Sequence, residues 1–457
     1  MNGGDAVALD YHAAVRALGE RGRFGIHLGL GRTRAILRAL GNPERDLRGA
    51  LVAGTNGKGS VLALAASAVR AAGIRVGETP KPHLVSYRER LQVDGRPISP
   101  GDFARLVAEV LPVADRVARR HGDPTEFEIL TAIVFRWFAE QRPAVALVEV
   151  GLGGRLDATH AWDGGVAVVT NVDLDHMDRL GPTVEAIARE KAAIIVRGDR
   201  AVTGATGAAL DVVRRRARRI GVPLVEATPA RLVGWDRDGI LVELPRLGPA
   251  PVRVGLRGRH QAANVAVADA LLDGLEAAGI ATIPVEARRR GYEAARWPGR
   301  LELLAPGAAG GGAGRDLLLD GAHNPAGAAV LALALEDLRP HLFPSDRPLT
   351  LLTAMMADKD AAGVVEGLAR SGALRGATVV ATDLGLPRSL PADELAARWR
   401  ATGLTARAIA DPDAALEAVL RDAPGPIVVA GSLYLVGFVR GRLVDDPLLR
   451  DPAEAAA

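Results

Sequence analysis

A glycine-rich segment near the start of the chain carries residue types that could bind an anion. The apolar run Leu51-Val-Ala53 leads into Gly54-Thr-Asn-Gly-Lys-Gly-Ser60, and an alanine- and leucine-rich stretch follows. This order predicts a buried strand, a tight loop and a helix. Three features would converge on one point: the backbone N–H groups that glycine leaves accessible, the positive end of the helix, and the Lys58 ammonium. The segment therefore predicts a cradle for a polyphosphate.

The spacing of this loop is shorter than that of the widespread pattern G-x-x-x-x-G-K-[ST]. Counted back from Gly57-Lys58, that pattern places its first glycine at Val52, whereas the first glycine of the chain's loop is Gly54. A glycine-rich turn that opens an ordinary helix is the alternative interpretation, because glycine also serves turns that bind nothing.

Glu149, at the end of one predicted strand, and His176, after the next, are candidate ligands of a divalent cation. A bound polyphosphate calls for magnesium or manganese, which oxygen ligands and an occasional imidazole suit. Each residue follows an apolar run, and the carboxyl ends of parallel strands meet at one edge of a sheet. A solvated strand-end carboxylate and an ordinary loop histidine are the alternatives.

Lysine is scarce in this chain. Among 57 basic residues, all are arginine except Lys58, Lys81, Lys191 and Lys359. A guanidinium supplies positive charge but neither a compact ammonium nor a nucleophilic amine. The lysines are therefore candidates for places that need one of these, and chance retention is the alternative.

Composition limits the class of protein. A chain of 457 residues with 48% apolar content is long enough for two or three packed domains. We expect neither a membrane span nor an export signal, because no long uncharged apolar run occurs and Met1–Asp5 does not resemble a leader. The expected compartment is the cytoplasm. The formal charge of +3, with acids and bases interspersed, gives no reason to expect a nucleic-acid partner, and zero cysteines exclude disulfides.

Apolar periodicity predicts an α/β fold. Buried strands are expected over 144–150 and 166–171 and a helix over 183–197, in an alternating order that is typical of a mostly parallel, doubly wound sheet with its site at the carboxyl strand ends. Residues 231–256 alternate apolar and polar around Asp236-Arg-Asp-Gly239, which predicts an antiparallel hairpin at the edge of that sheet.

A break in the pattern predicts two domains. Trp297-Pro-Gly-Arg300 and the low-complexity segment 307–314 place the boundary at about residue 298, between a domain over 1–297 and a smaller, Rossmann-like α/β domain over 298–457. The strands of the second domain are predicted near 316–320, 349–354, 377–382, 405–410 and 426–430.

The chain resembles the folylpolyglutamate synthase/dihydrofolate synthase family of the Mur-ligase superfamily along nearly its full length. The motifs that carry the resemblance are, in order, Gly54-Thr-Asn-Gly-Lys-Gly-Ser60, Lys81-Pro-His-Leu84, Glu149-Val-Gly-Leu-Gly-Gly-Arg-Leu-Asp-Ala-Thr159, Asp175-His176, Arg189-Glu-Lys-Ala192, His260-Gln-Ala-Ala-Asn264, Pro298-Gly-Arg300, Asp320-Gly-Ala-His-Asn-Pro325 and Asp358-Lys-Asp360. Some of these motifs are weak singly, but their conjunction in this order is highly specific.

The resemblance implies an ATP-dependent amide ligase. The carboxylate of dihydropteroate or of a reduced folate would attack the γ-phosphate of ATP, and L-glutamate would attack the resulting acyl phosphate, with release of ADP and phosphate. It implies Mg²⁺ at two sites, with a monovalent cation as a further candidate. Residues 1–297 would hold ATP and the pterin or folate, and residues 298–457 would contribute to ATP and glutamate binding in an interdomain cleft. We expect a monomer with small-molecule partners, no nucleic acid and no membrane.

The resemblance also assigns roles to individual residues. The implied ATP-binding residues are Gly54, Thr55, Asn56, Gly57, Lys58, Gly59, Ser60, Asn264, Arg300, Asp320 and His323. The implied metal ligands are Glu149, His176 and Lys191 as a carbamate, with Ser60 as a further candidate, and Lys58, His176 and Lys191 would be catalytic. The implied substrate residues are Lys81, His83, Thr125, Phe127 and Asp157, with Ser432 as a further candidate near glutamate. A carbamate would explain an isolated lysine, since only an uncharged primary amine adds CO2.

One motif departs from the family. Where the family usually has Ser-Pro-His-Leu, this chain has Lys81-Pro-His-Leu84. That serine hydroxyl ordinarily helps to bind magnesium, and an ammonium cannot be a metal ligand. Either Lys81 contacts phosphate or substrate directly, or the local path of the chain differs; with lysine so scarce, the first is favoured. Ser60 would then be left as the hydroxyl ligand.

Other classes are weaker interpretations. Another Mur-type acid–amino acid ligase shares the central machinery, but the peptidoglycan-precursor ligases carry a separate UDP-sugar domain that is not expected before the loop. A kinase or ATPase of another phosphate-loop class is disfavoured by the short loop spacing. A nucleotide-dependent switch or scaffold is the non-enzyme alternative, and it would need no site for acyl activation.

Overall fold

The protein, seen here in a computed structural model, is described over residues 9–24, 27–306 and 314–452. By compactness the chain divides into two units. Unit 1 takes the described residues of Met1–Pro229, Ala263–Tyr292 and Pro447–Ala457, and unit 2 takes those of Ala230–Ala262 and Glu293–Asp446. The low-complexity segment near the predicted boundary lies, through residue 313, outside the described residues.

The strands form three sheets within the described part of the chain. In chain order they are β1 (Gly49–Ala53), β2 (Val76–Thr79), β3 (Gln92–Val93), β4 (Arg96–Pro97), β5 (Val145–Glu149), β6 (Gly165–Val169), β7 (Arg200–Thr203), β8 (Leu224–Glu226), β9 (Arg231–Asp236), β10 (Gly239–Glu243), β11 (Val252–Val254), β12 (Glu302–Leu304), β13 (Leu317–Leu319), β14 (Thr350–Thr353), β15 (Thr378–Ala381), β16 (Thr405–Ala408) and β17 (Ile427–Ala430).

Helices alternate with these strands. In chain order the described α-helices are α1 (Tyr11–Gly19), α2 (Gly31–Ala39), α3 (Lys58–Ala71), α4 (Pro100–His121), α5 (Glu126–Gln141), α6 (Met177–Leu180), α7 (Val184–Ala192), α8 (Gly207–Ile220), α9 (Gln261–Ala277), α10 (Val285–Ala294), α11 (Pro325–Leu338), α12 (Ala361–Ala369), α13 (Ala392–Ala401), α14 (Pro412–Asp422) and α15 (Leu433–Leu443). Among the residues described, no helix has both the length and the apolar character needed to cross a lipid bilayer.

The main sheet of unit 1 confirms the predicted doubly wound fold. Its strand order is β4-β3-β2-β5-β1-β6-β7-β8, and all neighbouring strands from β2 to β8 run parallel. At its centre Leu51 pairs with Val148 of β5 on one side and Ala167 of β6 on the other. Every residue of β1 and β5 is buried, which is typical of parallel strands covered by helices on both faces.

The helices beside this sheet begin at clear caps. The Ser99 side chain accepts a hydrogen bond from the N–H of Asp102 at the start of α4, and Pro100 takes the first position, where no N–H is needed. At the start of α5, Thr125 and Glu128 cap each other reciprocally. The helix predicted over 183–197 is shorter than expected, because α7 ends at Ala192.

The antiparallel hairpin predicted around Asp236 is present, but its predicted place at the edge of the main sheet is wrong. Strands β9, β10 and β11 form a separate three-stranded sheet in unit 2, in which Gly239 pairs with Asp236 across the turn. Alternating polarity reports a half-buried strand but says nothing about which tertiary neighbour covers its apolar face.

Unit 2 also contains a six-stranded sheet of order β12-β13-β17-β14-β15-β16, with β12 antiparallel and the other strands parallel. Its five parallel strands lie where the sequence predicts them. Four of them are short, mainly apolar runs between helical patterns, whereas β16 alternates exposed and half-buried residues. The antiparallel edge strand β12 was not predicted. It is only three residues long and ends close to the segment that is not described.

The last described residues return to unit 1 and contact its beginning. The Asp451 carboxylate accepts hydrogen bonds from Tyr11 Oη at 3.0 Å, Ser86 Oγ at 2.8 Å and Arg88 Nε at 3.1 Å. Arg88 is buried, with only 4% of its surface exposed. The carboxyl-terminal residues therefore supply the carboxylate that balances a buried guanidinium.

Candidate active site

The loop Gly54–Ser60 joins β1 to α3 at the carboxyl edge of the main sheet. Gly57 adopts a left-handed conformation, with φ of 81°, immediately before the first residue of α3. A Cβ atom added to Gly57 would lie 2.4 Å from Oδ1 of Asn264, which belongs to α9. The first N–H groups of α3 have no partner earlier in the helix, so this end of α3 suits an anion.

The chain that follows β6 holds the loop in place. The N–H of Thr55 donates to the carbonyl of Asn171 at 2.9 Å, and the N–H of Asn56 donates to Oδ1 of Asn171 at 2.7 Å. The Thr170 hydroxyl donates to the carbonyl of Asn56 at 2.7 Å, and the Thr55 hydroxyl accepts from the N–H of Asp173 at 3.0 Å. The loop is therefore organised by neighbouring backbone as well as by its own glycines.

Substitution of Gly57 by alanine is expected to destabilise the protein by about 1–3 kcal/mol and to lower nucleotide affinity more than tenfold. The left-handed backbone strains any residue with a Cβ atom, and here that atom also collides with Asn264. Thermal unfolding and AMPPNP titration would measure the two effects.

Gly73→Ala is the matched control for that prediction. Gly73 follows the other end of α3 with φ of 73°, and no atom lies within 4 Å of an added Cβ. We expect this variant to lose stability but to keep its nucleotide affinity. Equal nucleotide affinity in the Gly57 and Gly73 variants would contradict the assignment of the loop.

Two of the scarce lysines converge on one carbonyl oxygen. Lys58 Nζ donates to the carbonyls of Gly54 and Thr55, each at 3.1 Å, and Lys191 Nζ donates to the same Gly54 carbonyl at 2.8 Å. Lys191 is buried in α7, and burial together with the nearby Lys58 charge lowers its pKa to about 7. A lysine in this setting is neutral much more often than a surface lysine at neutral pH.

Lys81 and Glu149 meet at the ends of two neighbouring strands, β2 and β5. The N–H of Lys81 donates to Oε2 of Glu149 at 3.0 Å, and its ammonium donates to the Glu149 carbonyl. Glu149 is buried. Burial lowers the pKa of Lys81 to about 8, although the charges of Asp157 and Glu149 oppose that shift. The residue that the sequence proposes as a metal ligand is thus tied to both the backbone and the ammonium of Lys81.

An aromatic pocket lies beside this pair. The Lys81 ammonium is 4.9 Å from the centre of the Phe127 ring, and both residues line the pocket with Arg90, Thr131 and Thr159. A cation at this distance over a ring is attracted by the negative face of the ring. The pocket therefore combines an aromatic surface with positive charge.

Asp157 lies in the same region, beside Gly151, which has no side chain to keep it away. A Cβ atom added to Gly151 would lie 2.7 Å from Cζ of Phe127 and 3.1 Å from Oδ2 of Asp157. The Asp157 carboxylate accepts from the N–H of Leu152 at 2.8 Å and from the N–H of Thr159 at 3.0 Å. Only glycine at 151 permits this approach of ring and carboxylate.

The remaining predicted substrate residues of unit 1 have structural partners. Thr125 caps α5, with its hydroxyl 3.1 Å from the Glu128 carboxylate. His83 accepts a hydrogen bond on Nδ1 from Arg90 Nε at 2.9 Å, and burial with the Arg90 charge lowers the pKa of His83 to about 3. The His83 ring is therefore neutral and carries its proton on Nε2.

A divalent cation that accompanies a nucleotide needs donor atoms from side chains near the loop. Among the described residues, no three histidine or acidic side chains lie close enough to share a metal ion. His176 has a left-handed backbone before α6, and its Nε2 lies 3.9 Å from the Asp175 carboxylate. Magnesium bound to phosphates needs only one or two protein ligands beside water, so the buried Glu149 carboxylate and the Ser60 hydroxyl fit that role.

In unit 2 the other predicted ATP-binding residues lie together at the ends of β13 and β17. The buried Asp320 carboxylate accepts from the N–H groups of Leu301 and Ala322, both at 2.9 Å, and burial raises its pKa against the effect of Arg300. His323 Nδ1 donates to the Gly321 carbonyl at 2.8 Å.

Two further residues of unit 2 adjoin this cluster. A Cβ atom added to Gly321 would lie 2.4 Å from Nη1 of Arg300, so the guanidinium passes directly over that glycine. Ser432 caps α15, and its Oγ accepts from the N–H of Tyr434 at 3.2 Å. The structure thus brings Arg300, Asp320 and His323 into one strand-end cluster of unit 2.

Sequence reasoning missed residues that position this machinery. Asn171 ends a predicted strand and could have been noticed there, since an amide at a strand end can bind a neighbouring loop. Nothing in the sequence around Arg90 indicates that this residue lines the pocket. Leu301, with φ of 46°, has a left-handed backbone that costs about 1–2 kcal/mol and that its sequence does not signal.

Comparison with known families identifies the class of protein as a Mur-type ligase. Residues 52–272 match the Mur ligase middle domain, and residues 312–442 match the C-terminal domain of dihydrofolate synthetase. The chain is 32% identical to the dihydrofolate synthase/folylpolyglutamate synthase of Bacillus subtilis (strain 168), over 95% of this chain and 99% of that relative.

Solved structures are similar over the same length. Folylpolyglutamate synthase of Mycobacterium tuberculosis, complexed with ADP and AMPPCP, has a TM-score of 0.82 at 30% identity, covering 96% of this chain and 100% of that one. The bifunctional folylpolyglutamate synthase/dihydrofolate synthase of Yersinia pestis, complexed with AMPPNP and a manganese ion, has a TM-score of 0.79 at 28% identity, covering 97% and 100%.

This chain therefore belongs to the dihydrofolate synthase/folylpolyglutamate synthase family. The two matched domains leave residues 273–311 between them, so the boundary at about residue 298 stays a prediction.

Proposed function

We propose that this chain joins L-glutamate to dihydropteroate, and to the glutamyl tail of reduced folates, with conversion of ATP to ADP and phosphate. The observation that carries the proposal is the match to a dihydrofolate synthase/folylpolyglutamate synthase over 95% of this chain and 99% of the relative. A match of that extent includes the loop, both strand-end clusters and the aromatic pocket rather than one shared domain.

The reaction requires two anions to approach each other. A carboxylate oxygen of the acceptor attacks the γ-phosphorus of ATP, the bond from that phosphorus to the β–γ bridging oxygen breaks, and ADP leaves. The amine of glutamate then attacks the acyl phosphate carbon, phosphate leaves, and the nitrogen loses a proton. Lys58, Asn264 and the N–H groups at the start of α3 would hold and orient the phosphates for the first step.

Bound magnesium would supply charge neutralisation on the phosphoryl oxygens. We propose Glu149, Ser60 and His176 as the residues that hold it, with a second ion near Lys191. Glu149 is suited to this because it is buried, so its carboxylate lies in surroundings where its charge is weakly screened.

We propose that Lys191 is carbamylated. Its nitrogen adds CO2 and loses a proton, which replaces a buried cation with an anionic oxygen ligand. The geometry supports this modification, because Lys191 is buried and shares the Gly54 carbonyl with a second ammonium, that of Lys58. Two cations on one oxygen repel each other, so the loss of one positive charge relieves the repulsion.

We assign the acceptor site to the aromatic pocket of unit 1 and the glutamate site to the strand-end cluster of unit 2. Phe127, Asp157 and Thr125 would bind the pterin, because a flat ring with N–H donors suits an aromatic face and a carboxylate. In unit 2, Arg300, Asp320 and His323 would contact ATP and Ser432 would lie near glutamate. We further propose a cytoplasmic monomer and a monovalent cation as an additional cofactor.

The decisive assay offers purified protein ATP, Mg²⁺ and radiolabelled glutamate with each of three acceptors in parallel: dihydropteroate, tetrahydrofolate and a UDP-sugar acid. We expect glutamate incorporation with both pterin acceptors and none with the UDP-sugar acid. Incorporation with dihydropteroate alone would restrict the proposal to dihydrofolate synthesis. Incorporation with the UDP-sugar acid alone would replace it by another Mur-type ligation.

A further inference from the structure

Lys81 is unaccounted for by the reaction described above. It is among the few lysines of an arginine-rich chain. Its backbone is fixed to Oε2 of Glu149 at 3.0 Å, so its position at the end of β2 is set by a neighbouring strand. Its side chain extends to the Glu149 carbonyl and over the Phe127 ring.

This placement directs the ammonium to the junction of two regions. On one side lies Glu149, whose strand β5 is hydrogen-bonded directly to β1, the strand that enters the phosphate loop. On the other lies the aromatic pocket, which Lys81 lines with Phe127 and Arg90. Lys58 is close enough for its charge to act on Lys81. The ammonium therefore lies between the place proposed for the phosphates and the place proposed for the ring.

The reacting group of an aromatic acid has to occupy that same junction. Its ring would pack on Phe127, and its carboxylate would point toward the phosphate loop. A serine at position 81 could offer that carboxylate one neutral hydrogen bond, whereas an ammonium offers a charge-assisted bond that is roughly twice as strong. Arg90 also lines the pocket, but its Nε donates to Nδ1 of His83, and it is the Lys81 ammonium that lies over the Phe127 ring.

We infer that Lys81 binds the carboxylate of the acceptor and positions it for attack on ATP. The inference deepens the proposed function and rests on it, since it assumes an acceptor that is an aromatic acid. In this chain, recognition of the acceptor carboxylate would then not require nucleotide or metal to be bound first. A contact between Lys81 and the γ-phosphate is the competing assignment.

The test is equilibrium binding of pteroate and of its neutral carboxamide, followed by pterin fluorescence without ATP or Mg²⁺. The variant is Lys81→Ser, which removes the ammonium and leaves a small polar side chain, and its thermal midpoint checks that the fold is kept. Arg120→Ser is the matched control, because it removes one positive charge from an exposed position in α4 of the same unit.

We expect the unaltered protein and Arg120→Ser to bind the acid at least tenfold more tightly than the carboxamide, and Lys81→Ser to bind the two within about twofold. A tenfold preference that survives in Lys81→Ser would overturn the inference. The competing contact with the γ-phosphate would be favoured instead if Lys81→Ser kept the preference for the acid and bound AMPPNP tenfold more weakly. Failure of the unaltered protein to bind either pterin would instead contradict the proposed function.

Discussion

Replacement of Lys58 by alanine is expected to lower kcat/KM for glutamate ligation by about a thousandfold, equivalent to about 4 kcal/mol of transition-state free energy. The lysine is held by the loop carbonyls of Gly54 and Thr55, beside the amino-terminal end of α3. Bound phosphate oxygens would replace those carbonyls as its partners and would gain negative charge as the γ-phosphoryl group transfers. The measurement is acceptor-dependent ADP release at varied ATP.

Arg120→Ala serves as the charge-matched control for Lys58→Ala. It also removes one cation from unit 1, but from an exposed helix position. We expect activity within twofold of the unaltered protein and thermal midpoints that agree among all three proteins. A Lys58→Ala enzyme that retained a third of the activity would rule out a phosphate-binding role for this lysine.

Replacement of Lys191 by arginine is expected to lower kcat at least a hundredfold, or about 2.7 kcal/mol. Arginine keeps the positive charge but cannot add CO2, so the variant separates a role in charge from a role as carbamate. The direct measurement is ¹³C NMR after equilibration with labelled bicarbonate. We expect a carbamate resonance in the unaltered protein that is missing from Lys191→Arg.

The lowered pKa of Lys191 predicts that carbamylation, and with it activity, increases as the pH rises. The pKa of Lys191 is lowered to about 7, so the neutral amine dominates above that pH and the ammonium below it. The carbamate resonance and the activity restored by bicarbonate to CO2-depleted enzyme should both rise between pH 6 and pH 8. Full activity of Lys191→Arg, or a resonance that persists in it, would exclude the modification.

Much of the fold could be predicted because it is encoded locally. The predicted strand over 144–150 is apolar as far as Val148, and the strand of unit 2 over 426–430 has the same character, which is typical of parallel strands buried on both faces. The order of strand, loop and helix around Gly54 was equally clear, since glycine, lysine and the helix that follows are consecutive in sequence; the phosphate-binding role of the loop stays a prediction.

What could not be predicted depends on contacts between distant residues. Lys191 and Gly54 are 137 positions apart, and scarcity of lysine marked Lys191 as special without indicating its partner. The place of Lys81 over Phe127 likewise depends on how α5 packs beside β2. The separate sheet of the Asp236 hairpin was missed for the same reason, because periodicity describes one strand and not its neighbours.

The contact of Asp451 with Tyr11 and Arg88 has a consequence for synthesis on the ribosome. A nascent chain emerges from its amino terminus, so residues of unit 2 appear before the carboxylate that unit 1 needs. Until Asp451 emerges, the Arg88 guanidinium lacks its carboxylate partner, and a buried charge without a partner is costly. Unit 1 therefore depends on a residue that is synthesised after the residues of unit 2.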